Sequence, residues 1–240
     1  MRLTAENIYD LYSPSYCHRR LFYRFNHEKE APPGPFEQII LELGKRHERD
    51  HINSLGRFVD LSSGSLGERA LRTIALINNG APIIYQGVLI SDVNLDGSHV
   101  EILGIPDILI SEGSSYVIRD CKLARHATKR IHPEIRAQLQ IYGYLFERSI
   151  GKKPLRIEAF LGDGSIVDFP YDSRSAIKSL KEILSTVSLK RTPYSPVGWS
   201  KCQGCGFREL CWSEAQATND LAQVYGVDQG LAFALRENGV

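Results

Sequence analysis

Apolar residues recur along this chain with two different spacings, and the changes between them mark out its elements. Residues 4–26 read as mainly helical, broken at Ser13-Pro14-Ser15, with Cys17 opening the second helix. Ala31 to Pro35 reads as a loop. From Phe36 to about Leu55, Phe36, Ile39, Ile40 and Leu43 fall at helical spacing and predict an inward apolar stripe. His47, four residues after Leu43, lies on the same face. A polar Gly/Ser-rich piece, Asp60 to Gly67, precedes a helix over Glu68–Asn78 that ends at Asn79-Gly80. The period then shortens. Pro82–Ile90 predicts a strand, Val100–Leu103 leads into another, and Gly104–Lys122 reads as a β-hairpin. In that hairpin Ile105, Ile108, Leu109 and Ile110 precede the polar turn Ser111–Ser115, and Tyr116, Val117 and Ile118 follow it. Residues 82–122 thus predict a meander of about four strands, with Asp107 inside the first hairpin strand.

Helical spacing returns over Pro133–Ile150, where proline suits the first turn and Gly151 the end. Ile135, Leu139, Ile141, Leu145 and Phe146 supply its buried side. Strands are predicted at Leu155–Phe160 and Ile166–Phe169, around Gly162-Asp163-Gly164, and an amphipathic helix at Ser173–Leu189. A helical tail follows from residue 214. This order predicts an α/β fold with a mixed central sheet flanked by helices.

Composition narrows the class without naming a chemistry. The chain has 240 residues, 42% of them hydrophobic and 24% charged, as expected of an ordinary globular protein. No apolar run approaches the roughly 20 residues of a membrane span, and the N-terminus lacks the pattern of a secretory signal, so a cytoplasmic location is expected. The net charge of +1 does not announce a nucleic-acid partner. Any such patch must be local. Lys122, Arg125, Lys129, Arg130 and Arg136, with His126 and His132, form one basic run, which is either a solvated face or a phosphate-binding surface.

The candidate chemistry lies in the hairpin and in the cysteines. Side chains alternate along a strand, so Asp120 and Lys122 share a face that Cys121 does not. Taken singly, Asp107, Asp120 and Lys122 are ordinary strand-end residues. Together they supply two carboxylates for a hard divalent cation and an ammonium to orient water or offset phosphate charge. On the following helix, Gln138 and Tyr142 are four apart and share a face, with Gln140 and Tyr144 as a second register. His47 reads as a core histidine bonded to a backbone carbonyl, and His51 lies one turn further on. Five cysteines without a secretory signal argue against disulfides. Cys202, Cys205 and Cys211 have the Cys-x2-Cys-x5-Cys spacing of a metal site, for which Cys17 is the best fourth thiolate and Cys121 a poor one. Four thiolates suit zinc or an iron–sulfur cluster.

Pro106-Asp107 followed thirteen residues later by Asp120-Cys121-Lys122 resembles the PD-(D/E)xK nuclease signature. Gly44-Lys45-Arg46-His47 is similar to the Gly-x-x-His helix of RecB-type nucleases, and Gln138 to Tyr142 to their Gln-x-x-x-Tyr motif. One early cysteine with a late triplet resembles the iron–sulfur members, including the CRISPR-associated exonucleases and the AddB nuclease domain. The resemblance covers residues 4–212 and implies a restriction-endonuclease-like fold. It divides the chain into a nuclease domain, 1–212, and a helical tail, 213–240. Gly230–Val240 of that tail resembles the opening of a helix-hairpin-helix unit, which would make the chain a fragment of a longer protein. The resemblance implies Mg²⁺ or Mn²⁺ held by His47, Asp107, Asp120 and the Cys121 carbonyl. Lys122 and Gln138 would assist, and Tyr142 or Arg136 would meet DNA. A [4Fe–4S] cluster on Cys17, Cys202, Cys205 and Cys211 would staple the cysteine loop to the N-terminal helix, with zinc as the alternative. The implied activity is metal-dependent cleavage of single-stranded DNA ends, alongside a helicase, DNA-repair or CRISPR partner. The alternative is a non-catalytic iron–sulfur DNA-binding module serving a partner nuclease or helicase.

Overall fold

A computed structural model describes residues 1–128 and 131–239. Lys129 and Arg130 of the basic run, and Val240 of the tail, lie outside the described residues. The chain falls into two compact units, residues 1–9 with 40–184 and residues 10–39 with 185–240.

The first unit is built on sheets. The larger sheet has six strands: β2 (Val59–Asp60), β3 (Ile83–Tyr85), β6 (Ile108–Glu112), β7 (Ser115–Lys122), β8 (Arg156–Leu161) and β9 (Ile166–Phe169), in that spatial order. The β2–β3 and β7–β8 pairs are parallel and the others antiparallel, so the sheet is mixed, as the sequence predicts. Central β7 is buried on both faces along Tyr116–Asp120, which is why Val117 and Ile118 are adjacent and apolar. The β6–β7 hairpin is as expected, with Gly113 at φ 60° in its turn. A smaller sheet holds β1 (Arg2–Thr4), β5 (Ser98–Gly104) and β4 (Leu89–Leu95).

The predicted meander is therefore corrected. Pro82–Ile90 is two strands rather than one: β3 joins the large sheet and β4 begins the small one. Between them Gln86 and Gly87 turn the chain, and Gln86 has φ 55°. A short apolar run cannot reveal such a change of sheet. Asp107 likewise lies just before β6, not within it.

Two helices cover the large sheet. Helix α5 (Pro133–Ile150) has the predicted bounds and packs on β7 and β8, burying Ile135, Leu139, Ile141, Leu145 and Phe146. Helix α3 (Pro35–Ser54) brings His47 and His51 onto Phe160 of β8, the rings stacked with centroids 4.8 and 3.6 Å apart. Its expected inward stripe is overturned: Phe36, Ile39, Ile40 and Leu43 are exposed, and Ile52 is the aliphatic side chain α3 buries. Helical spacing gives the stripe but not its partner. Helix α4 (Leu66–Asn78) starts with a reciprocal Ser65–Glu68 capping box, and α6 (Ser173–Val187) buries Leu180, Ile183, Leu184 and Val187.

In the second unit, α1 (Asn7–Tyr12) runs in from residue 10, and α2 (His18–Phe25) is preceded by Cys17 at its N-cap. The segment containing α2 is joined to the C-terminal segment by polar contacts. Ser15 Oγ donates to the Lys201 carbonyl at 3.0 Å, the Ala31 amide to the Gly206 carbonyl at 3.0 Å, and Tyr23 Oη to Glu214 Oε1 at 3.1 Å. Gly206 must be glycine here: a Cβ would lie 2.4 Å from Glu30 Cγ and 2.9 Å from the Ala31 oxygen. Helices α7 (Arg208–Ala217) and α8 (Gln229–Glu237) close a small core of Val197, Ala215, Ala222 and Ala232. No helix among the described residues is long and apolar enough to cross a membrane.

Candidate active site

Lys122 ends β7, and Asp120 precedes it by two on the same face. Lys122 Nζ lies 2.5 Å from Asp120 Oδ2, and Asp120 is only 2% exposed. The ammonium also sits 4.8 Å from the centroid of the Tyr9 ring. Asp107 reaches the next residue of the same strand, its Oδ2 accepting from the Cys121 amide at 2.7 Å. Its Oδ1 accepts from Gln86 Nε2 at 3.2 Å, and the same amide nitrogen donates to Glu48 Oε1 at 2.6 Å. Asp107, Asp120 and Lys122 thus converge as predicted, and Glu48, Gln86 and Tyr9 join them.

Glu48 directly follows the predicted His47, but nothing in its spacing distinguished it. Gln86 and Tyr9 carry no sequence signal at all. His47 Nε2 is 3.3 Å from the Phe160 carbonyl oxygen. Phe160 pairs in register with Cys121, so the ring lies one strand from the carboxylates. Cys121 is half-buried, and burial pushes its thiol well above the usual range.

Gln138 and Tyr142 are each 3% exposed. The Gln138 Oε1 has no hydrogen-bond partner among the described residues. Tyr142 packs against Gly104, where a Cβ would lie 2.8 Å from its ring. Burial raises its phenol well above the usual value, with Asp120 and Asp107 adding to the effect. Arg136 is half-buried.

The electrostatics show what the cluster lacks. Burial raises the Asp107 carboxyl well above the usual carboxylate range, and the charges of Asp120 and Glu48 raise it further. For Lys122, burial works against the charged form, but Asp120 and then Tyr9 outweigh it and hold the lysine as an ammonium. Three carboxylates facing one ammonium make a hard-oxygen donor set that a divalent cation would satisfy. The donors fit in kind. Among the described residues, however, no three His, Cys, Asp or Glu side chains are already gathered as a metal-ligand group.

Behind the site, Arg119 and Glu158 form a buried ion pair across β7 and β8. Glu158 Oε2 accepts from Arg156 Nε at 3.0 Å, and Arg119 Nη1 lies 3.0 Å from His51 Nε2. Burial and the adjacent Arg119 lower the His51 pKa to about 4, so its neutral ring accepts from the guanidinium.

In the second unit Cys17, Cys202, Cys205 and Cys211 all line one small cavity. Cys17 Sγ is 3.2 Å from Ser195 Oγ, which accepts from Lys201 Nζ at 2.8 Å. Burial raises the Cys211 thiol to about 11, opposed by neighbouring Arg19. The four thiols suit a soft metal or an iron–sulfur centre in donor type, but among the described residues they are not gathered as a ligand group.

The model of the PD-(D/E)XK nuclease superfamily matches residues 17–212. The chain belongs to this superfamily. Nucleases of the PD-(D/E)XK superfamily typically use Mg²⁺ or Mn²⁺, in keeping with the carboxylate cluster. Among solved structures, the chain is similar to SSO0001 at 15% identity and a TM-score of 0.45, covering 88% of this chain and 86% of that one. It is also similar to a Eubacterium rectale protein named "Putative exonuclease", at 12% identity and a TM-score of 0.46, covering 82% and 91%. No curated protein matches.

Proposed function

We propose that this PD-(D/E)XK protein is a metal-dependent DNA nuclease whose site is Asp107, Asp120 and Lys122, assisted by Glu48, Gln138 and Tyr142. The observation that carries the reading is the convergence of Asp120, Lys122 and Asp107 at the C-terminal end of β7. Asp107, Asp120 and Glu48 would hold Mg²⁺ or Mn²⁺, with the Cys121 carbonyl and His47 as further candidates. Such a cation supplies Lewis-acid polarisation of the phosphate and a more acidic water. Lys122, kept charged by Asp120, offsets the negative charge that builds on the phosphate oxygens and orients the attacking water. The buried Gln138 carbonyl, which has no hydrogen-bond partner among the described residues, would serve to accept from that water.

The finer reading follows the RecB-like resemblance of the motifs. It assigns single-stranded DNA ends as substrate, residues 1–212 as the nuclease domain and 213–240 as a helical tail, and a [4Fe–4S] cluster to the four cysteines. A helicase, DNA-repair or CRISPR partner follows from the same resemblance. The shared cavity supports the four-cysteine set, and zinc is the alternative occupant.

The test is cleavage of end-labelled single- and double-stranded DNA with Mg²⁺, Mn²⁺ or EDTA, wild type beside Lys122→Ala. The expected result is metal-dependent cleavage that Lys122→Ala abolishes while folding as wild type does. Equal cleavage by both proteins rejects the reading. DNA binding without cleavage by wild type, its metal centre intact, favours the binding module.

A further inference from the structure

Gln86 has a backbone conformation that its sequence does not favour. It occupies the left-handed region at φ 55°, which strains a residue with a Cβ, although Gly87 follows it directly. What holds it there is a set of bonds into the acidic cluster. Its amide N–H donates to the Asp107 carbonyl at 2.8 Å, and its carbonyl accepts from Arg69 Nη2 at 3.0 Å. With both ends fixed, its side-chain nitrogen donates to Glu48 Oε1 at 2.6 Å and to Asp107 Oδ1 at 3.2 Å. One NH₂ group thus spans two carboxylates that otherwise repel, one on a helix and one on a loop.

We propose that Gln86 is a positioning residue that fixes the separation and orientation of Glu48 and Asp107, and so sets the affinity of the acidic site for its divalent cation. The proposal rests on the nuclease reading above only in that a divalent cation binds there. Without the bridging amide, the partner left to the Asp107 carboxylate among the described residues is the Cys121 amide, and Glu48 is no longer tied to it. Outer-shell partners of this kind typically change metal affinity by about 10–100-fold when removed.

The backbone strain supplies a control. Glycine and asparagine both tolerate positive φ, and asparagine keeps an amide that is one methylene too short to span the pair. In Gln86→Gly and Gln86→Asn the relief of backbone strain offsets part of what the lost carboxylate hydrogen bonds cost, so both should still fold cooperatively. The experiment follows the rise in melting temperature with added Mn²⁺, and separately Mg²⁺, in the whole protein, which reads cation binding without DNA or turnover. Wild type, Gln86→Gly, Gln86→Asn and Asp107→Asn are compared. The expected result is a cooperative melt without metal in both Gln86 variants. The Mn²⁺ concentration that gives a fixed rise should increase about tenfold or more in each. Wild-type Mn²⁺ dependence in both Gln86 variants, with the response lost in Asp107→Asn, overturns the positioning role and leaves the nuclease reading standing. A response that Asp107→Asn leaves unchanged overturns both, because the cation is then held elsewhere.

Discussion

Replacing Glu158 by alanine should destabilise the sheet beneath the active site more than any surface substitution. Glu158 is 1% exposed, and its two oxygens satisfy Arg119 and Arg156. Arg119 is itself 8% exposed, and its remaining described side-chain partner is the neutral His51. Deleting the carboxylate leaves an uncompensated buried guanidinium, which costs about 3–5 kcal/mol. Against a total stability of about 5–15 kcal/mol this is a large fraction. At about 2–4 °C per kcal/mol, the melting temperature should fall by about 6–20 °C. Glu158→Gln keeps an acceptor and the side-chain volume, and should lose about 1–3 kcal/mol. The double variant Arg119→Met with Glu158→Leu removes both charges, and should be more stable than Glu158→Ala. Urea unfolding gives the free energies, and hydrogen exchange of β7 and β8 amides reports the first unit by itself. A loss below about 1 kcal/mol for Glu158→Ala, or a double variant less stable than it, would refute the reasoning that Glu158 neutralises a buried charge.

The sheet and the cysteine cavity give three further tests. A Cβ on Gly162 would lie 2.4 Å from the Leu123 backbone oxygen, so Gly162→Ala must displace the chain just after Lys122; urea melts should show a loss of about 1–3 kcal/mol, with a lower cleavage rate. His51 has a pKa near 4, against an ordinary value of 6.5. Between those values the unfolded chain binds a proton that the native state refuses, so His51 makes stability fall as pH drops from about 6.5 to about 4. Burial raises Asp107 and gives the opposite slope, so His51→Gln is compared with wild type: their stability difference should be flat above pH 6.5 and shift against wild type below it. Cys202→Ser in anaerobically purified protein should lose bound metal and any visible absorption, with a lower melting temperature, as measured by metal analysis and spectroscopy.

Features set by local periodicity were legible in the chain. The bounds of α5 and β9 and the β6–β7 hairpin follow directly from apolar spacing and turn residues. The Asp107–Asp120–Lys122 grouping follows from strand alternation and the hairpin. What depended on long-range packing was not legible. The α3 stripe has the right period but faces solvent, because periodicity orients a face without supplying its partner. The break between β3 and β4 hinges on Gln86, whose left-handed backbone is held by Arg69 and Asp107 rather than by its neighbours in sequence. Glu48 and Tyr9 reach the site from the helices α3 and α1, and neither residue type nor spacing marks such an approach.

The central claim is that Asp120, held against Lys122, serves the cleavage of DNA. Its most direct test is single-turnover cleavage of a labelled oligonucleotide in Mg²⁺ by wild type and Asp120→Asn, an isosteric change that removes one charge. Wild type should cleave, and the variant, still folded and still binding DNA, should be at least about 100-fold slower. Cleavage at the wild-type rate by a folded Asp120→Asn protein would contradict it.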